Sequence, residues 1–160
     1  MATRADTTAG SVGRDKTLAQ KLALLWGATF LLVGVLGFIP GITSNFDDIA
    51  FAGKDSDAEL LGLFQVSVLH NIVHALFGVG ILMSRTWEAA KNYLLGSAIV
   101  YVILLIYGLI TDQNDDANFV PMNSGDDWLH LGLALGLLAS YLVSRRDRDT
   151  SYDRDATVRA

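Results

Sequence analysis

The chain has 160 residues, 51% of them hydrophobic and 18% charged, with a formal net charge of −5 and no cysteine. That size and apolar content suit one membrane-embedded unit and leave no room for a second folded domain. Without cysteine there are no disulfides, thiolate metal sites or cysteine nucleophiles, and the acidic balance argues against a nucleic-acid partner.

Residues 1–17 are polar and mixed in charge, the composition of a disordered tail. Four apolar stretches follow, at 18–39, 60–84, 92–110 and 128–143, and Lys21 is the only Lys, Arg, Asp or Glu inside them. A hydrocarbon slab about 30 Å thick needs about 20 apolar residues per helical crossing. The pattern predicts an all-α fold, a polytopic membrane four-helix bundle running up-down-up-down over 18–143, with a second disordered tail at 144–160. The first stretch is too long for a signal peptide and has no small-residue cleavage site at its end, so it is expected to be retained. Pro40-Gly41 is expected to end the first helix. Ser56-Asp57-Ala58-Glu59 has capping-box spacing ahead of the second, and Arg85 or Thr86 opens the third, with Trp87 at the interface. The connection at 85–91 is short enough that helices two and three should form a tight antiparallel hairpin.

The basic residues fall almost entirely on one side. Of the twelve Lys and Arg residues, only Lys54 lies in the first or third connection, where Asp47, Asp48, Asp55, Asp57, Glu59, Asp112, Asp115, Asp116, Asp126 and Asp127 also lie. Loops rich in Lys and Arg stay cytoplasmic, so a plasma-membrane protein with both termini cytoplasmic is expected. The run from Asp112 to Asp116 departs from a calcium loop, because Ala117 stands where the loop glycine belongs and Asn123 where a bidentate glutamate belongs. It reads as a hydrated connection.

Small residues let helices approach inside a bilayer. Gly132, Gly136 and Ser140 are spaced by four on the last helix, Gly78 lies on the second, and Tyr93, Ser97, Tyr101 and Gly108 align on the third. The chemistry-bearing residues concentrate on the second stretch, in Gln65, Ser67, His70, Asn71 and His74, with His130 on the last helix. If the second helix begins at its apolar boundary, His70 lies about 15 Å below Leu60, near the bilayer centre. His130 would then sit nearer the level of Gln65 than of His74.

A polar group in hydrocarbon must find a partner, so the leading expectation is an interhelical hydrogen-bond network of His70, Asn71, His74, Ser97, Tyr101 and His130. The alternatives are a metal held by His70, His74 and His130, a haem with His130 as one axial ligand, or a proton-linked transport module. No catalytic constellation is visible, since His70 and His74 enclose Asn71-Ile72-Val73 in place of the zinc-peptidase pattern and no serine elbow or buried carboxylate pair occurs. An enzyme is therefore not expected, nor is any cofactor on the leading reading.

The runs Gly62-Leu63-Phe64-Gln65-Val66, Leu69-His70-Asn71-Ile72-Val73-His74, Tyr93-Leu94-Leu95-Gly96, Asn118-Phe119-Val120-Pro121-Met122-Asn123 and Asp127-Trp128-Leu129-His130-Leu131-Gly132 resemble a prokaryotic family of small four-helix membrane proteins known only as a domain of unknown function. The resemblance covers about 18–143. It implies a single four-span unit with patterned residues at His70, Asn71, His74, Pro121, Asn123, Trp128 and His130, and it implies no reaction, substrate or ligand. The expectation is thus a non-enzymatic structural or accessory membrane module in contact with the lipid bilayer, with a protein partner or homo-oligomer left open. The alternative is a ligand- or cofactor-binding or proton-linked transport module.

Overall fold

The computed structural model describes the backbone of residues 16–158 and the side chains of residues 16–145. The expected disordered tail at 1–17 lies, except for its last two residues, outside the described residues.

The first helix, α1, spans Leu18–Leu36. Thr17 caps it, its hydroxyl accepting from Gln20 N at 3.4 Å while Gln20 Oε1 accepts from Thr17 N at 2.9 Å, a reciprocal arrangement that satisfies two otherwise orphaned donors. The helix ends at a Gly37 cap, ahead of Pro40. Its buried face is Ala19, Ala23, Gly27, Phe30 and Gly34, four small residues and one ring at helical spacing. The smallness is required. A Cβ at Gly27 would lie 2.6 Å from Ile81 N, and one at Gly34 would lie 2.6 Å from Ala75 N, so these glycines let whole backbones touch.

The first connection is structured. Three two-residue strands, β1 (Thr43–Ser44), β2 (Glu59–Leu60) and β3 (Phe64–Gln65), pair antiparallel in the order β1-β2-β3. Between β2 and β3, Leu61 and Gly62 take positive φ values of 57° and 67°, and Leu63 N returns to Leu60 O at 3.2 Å, a tight turn matched to the twist of its strands. Under this sheet Ala58, Leu60 and Val66 form a small core against Val33, Leu36 and Ile42.

The sheet corrects the second crossing. The expected span of 60–84 begins only at Val68, because 60–67 are spent on the hairpin, and the capping box at Ser56 does not form. Ser67 caps α2 (Val68–Phe77), accepting from His70 N at 3.1 Å, whereas the Ser56 hydroxyl donates to Val66 O at 2.6 Å. An apolar run with Gly62 inside it reads as helix by composition and folds as a turn by backbone geometry. The crossing is also interrupted. Helix α2 closes in i→i+3 bonds at Gly78 and Val79, and a separate turn, α3 (Gly80–Met83), follows.

Helix α4 (Trp87–Ile110) opens on Thr86, whose hydroxyl accepts from Ala89 N at 3.2 Å, in keeping with the expected hairpin. Helix α5 spans Ser124–Val158, so helical backbone continues through the region from 144 that was expected to be structureless. Leu18–Leu36, Trp87–Ile110 and Ser124–Arg145 are long and apolar enough to cross a membrane, and Val68–Met83 is a shorter apolar helical stretch. Large apolar side chains such as Leu25, Ile103, Leu109 and Leu135 are exposed on the outside of the helices, the surface that a lipid-solvated bundle presents. The fold is all-α in its architecture, with the small sheet as an addition at the end where the long connections meet, here termed the loop end.

Candidate functional site

Residues that tie down the loop end form one layer of the site. Asp126, 1% exposed, accepts through Oδ2 from Asn123 N at 2.9 Å and from Gln65 N at 3.1 Å, while Asn123 Oδ1 accepts from Asp126 N at 3.1 Å. One carboxylate thereby caps α5 and clamps β3 to it. Gln65 donates from Nε2 to Ser56 O at 2.7 Å, so it belongs to this clamp and not with the histidines among which it was a candidate. Asn118 and Asn123 bond backbone carbonyls of the surrounding connections, Gln113 O at 3.1 Å and Leu63 O at 3.1 Å respectively. Gly53 N donates to Phe119 O at 2.8 Å and Lys54 Nζ reaches Asp55 at 3.1 Å and Asp116 at 3.5 Å. The hydrogen bond to Asp55, and the charges of Asp55 and Asp116, hold the Lys54 ammonium above its ordinary pKa.

Directly beneath lie the histidines. Because α2 starts at Val68, His70 sits in its first turn, and His74 is one turn further along. That shift brings both to the level of His130. The Tyr101 ring lies 5.4 Å from the His130 ring and 5.4 Å from Phe30, and Phe30 lies 5.8 Å from His74. Phe77 completes the group at 5.6 Å from Phe30 and 5.7 Å from Tyr101. Phe30 and Tyr101 are 1% and 2% exposed, and with Phe77 they make an aromatic floor. Offset and edge-on ring pairs of this kind favour a fixed packing.

Between α2 on one side and α4 and α5 on the other is a cavity of about 220 Å3. Ser67, His70, His74, Phe77, Tyr101 and His130 line it, together with Leu69, Val73, Leu104, Phe119 and Val120. Among the described residues, no charged side chain does. The expected hydrogen-bond network is not formed. The Nδ1 atoms of His70, His74 and His130, and Nδ2 of Asn71, are buried without a hydrogen-bond partner. His70 and His74 instead stack, with ring centroids 4.8 Å apart and planes 3° from parallel. Asn71 is packed against Gly37, and Ser67 is occupied as the α2 cap. Of the expected site, His70, His74, Tyr101 and His130 come together, Ser67 and Asn71 flank them, and Gln65 stands apart.

The lone pairs of rings in parallel planes stay in those planes and do not meet, whereas a shared ion needs them to converge at about 2.0–2.1 Å. Among the described residues no three His, Cys, Asp or Glu side chains are grouped so as to hold a metal ion. The floor residues Phe30 and Phe77 and the clamp at Asp126 are not evident in sequence as a site. The clamp did leave a signal, since Asn123 and Asp126 are three apart, the spacing of a reciprocal helix cap.

The small-residue contacts are divided. Gly136 packs under Trp26, where a Cβ would lie 3.0 Å from Cζ2, and Ser140 Oγ accepts from Trp26 Nε1 at 3.1 Å. Gly78 packs on α1, a Cβ there lying 2.9 Å from Leu31 Cβ. Gly132 meets nothing within 4 Å and is not a helix contact, because the Trp26 ring reaches only the two positions further along the stripe.

No curated protein and no solved structure matches the chain. The family model described as Domain of unknown function (DUF4383) matches residues 20–143, which include every lining residue of the cavity from Ser67 to His130, and the chain belongs to that family.

Proposed function

We propose that this chain is a non-enzymatic membrane module that binds a small molecule in its histidine-lined cavity, and that it resides in the plasma membrane with both termini cytoplasmic. One observation carries the reading: a cavity of about 220 Å3 adjoins three buried imidazoles whose Nδ1 atoms lack partners. The surface that the cavity presents is almost wholly apolar, so an apolar molecule of matching size is the occupant it favours. A purely structural role would call for bonds among these side chains, and no side-chain hydrogen bond joins His70, Asn71, His74, Tyr101 and His130 to one another among the described residues.

The geometry favours a blind pocket over a conduit. The packed Phe30, Phe77 and Tyr101 rings, one pair stacked and two edge-on, close the cavity on the side away from the loops. The break between α2 and α3, which in a transporter would offer free backbone groups to a cargo, is occupied: Tyr93 Oη donates to Phe77 O at 2.9 Å. A haem exceeds the space, which is already below the roughly 300–1,000 Å3 of sites for drug-sized molecules.

The test is thermal unfolding of the purified protein in mild detergent with toluene, phenol and indole as probes. A ligand at 100 times its Kd stabilises the folded state by about 2.7 kcal/mol, which should appear as a saturable rise in Tm for at least one probe. Leu104→Trp, which fills the cavity from α4, should remove the rise while leaving the helical circular dichroism unchanged. If no probe raises the Tm of the unaltered protein above that of the filled variant, the reading is overturned.

A further inference from the structure

We infer that the ligand is an acyl chain of a membrane lipid, taken in from the side between α2 and α4 while the polar head stays outside; this rests on the ligand-binding reading above. The shape of the cavity carries it. Leu69, His70, Val73, His74 and Phe77 make one wall, a single face of α2 by their spacing, and from Leu69 to Phe77 that face rises about 12 Å. Tyr101 and Leu104 of α4, with Phe119 and Val120 toward the loop end, stand opposite. About 220 Å3 drawn out along two turns of helix is a slot, suited to a chain lying alongside the helices. An apolar cavity of about 150 Å3 holds benzene, so in proportion the slot takes about nine carbons, part of a lipid chain and not a whole lipid.

The opening lies on the apolar outside of the bundle. Helix α2 packs along α1 and makes no extended contact with α4 or α5 among the described residues, so the cavity fills the seam between α2 and α4 down to the Phe77 and Tyr101 rings, which meet at 5.7 Å. The lining reaches the surface at Val73 and Phe119, both exposed and apolar. Val73 continues into exposed Ile72 and Leu76 on α2, and across the seam Leu104 adjoins exposed Ile103 on α4. An opening in that surface meets lipid chains first. The lining is almost wholly apolar and holds no Lys, Arg, Asp or Glu among the described residues, so a lipid head finds no counter-charge inside, and burying its charge unpaired is prohibitive. Lipid tails are as apolar as leucine, so a chain gains little by leaving hydrocarbon; its gain is dispersion contact with walls that otherwise line a void. A gain of that modest kind favours the abundant chains already at the opening over a dilute free solute.

The test is photolabelling of the full chain in phosphatidylcholine vesicles that carry a small fraction of a phospholipid, or in a parallel sample a free fatty acid, with a diazirine on its acyl chain. Peptide mass spectrometry reads the labelled residues. Ile103, 58% exposed, reports lipid on the outside of α4, whereas Tyr101 and His130, each 2% exposed, are out of reach of a chain that stays there. The expected result is label at Tyr101 or His130 as well as at Ile103. Whether the phospholipid, the fatty acid or both place it there names the source of the chain, and each supports the inference. Leu104→Trp should lower labelling of the two buried residues at least about tenfold while that of Ile103 stays within about twofold. Label at Ile103 with none at Tyr101 or His130 overturns the inference, as does buried labelling that survives in the filled variant. If toluene, phenol or indole still raises the Tm in that event, the binding reading stands; if none does, both fall. Should Leu104→Trp misfold, the contrast between Ile103 and the two buried residues in the unaltered protein still decides.

Discussion

Tyr93 shows what one side chain contributes when a helix is interrupted inside a membrane. At the break after Phe77, Ile81 N bonds Gly78 O instead of Phe77 O, and the freed carbonyl has no water to turn to in hydrocarbon. The Tyr93 hydroxyl fills that role from α4 at 2.9 Å, with its ring pressed on Gly80. Tyr93→Phe keeps the ring and deletes the bond, so it should lower stability by about 0.5–1.5 kcal/mol. Tyr141→Phe, at a position whose recorded partner is the Arg145 guanidinium over the ring face, should change it by much less. Unfolding in mixed detergent micelles measures both, and equal loss would show that the ring and not the hydroxyl matters. Asp126→Ala should cost about 1–3 kcal/mol by the same reasoning, since it strips the acceptor from Gln65 N and Asn123 N together.

Among the elements, α1 is the one whose identity is most fully set by small residues. Its face of Ala19, Ala23, Gly27, Phe30 and Gly34 brings α2 and α3 so close that backbone atoms, not side chains, form the contact. Gly27→Leu should therefore destabilise the bundle by about 1–3 kcal/mol or more, the cost of overpacking a filled contact. Gly132→Leu, where a Cβ would meet no side chain or neighbouring helix within 4 Å, should stay within about 0.5 kcal/mol. Thermal unfolding of the two variants side by side checks the contrast, and a larger loss at Gly132 would refute the assignment of faces. Much of this level was legible in sequence. The crossings at α1, α4 and α5 and the tight turn before α4 follow from apolar length and from Thr86, and Gly136 and Ser140 from four-residue spacing. Two features were not. The run from Leu60 to Ser67 is as apolar as a helix, and only tertiary pairing with Thr43 and Ser44 makes it a hairpin; and Gly132 shares the spacing of Gly136 but not its neighbour, since spacing fixes a face and cannot say what stands opposite. The site inherited the first error, because placing His70 by the wrong helix start put it at the wrong depth relative to His130.

For the whole molecule, the fold sorts charge by end. Among the described side chains, Lys16, Lys21, Arg85, Lys91 and Arg145 lie at the end opposite the long connections, while Lys54 alone lies with Asp47, Asp48, Asp55, Asp112, Asp115 and Asp116 at the loop end. Lysine and arginine near short loops set orientation, and acidic residues have little influence, so the loop end, with the cavity under it, should face away from the cytoplasm. Single cysteines at Asp47 and Asp115 should react with an impermeant thiol reagent in intact cells, and one at Ser151 should react only after permeabilisation; the chain's lack of native cysteine gives the labelling no background within the protein. The reverse pattern would place the cavity on the cytoplasmic half of the bilayer. Labelling at Asp47 and Ser151 but not at Asp115 in intact cells would mean an odd number of crossings, and would single out Val68–Met83, the shorter and interrupted apolar stretch, as a segment that enters the membrane without traversing it.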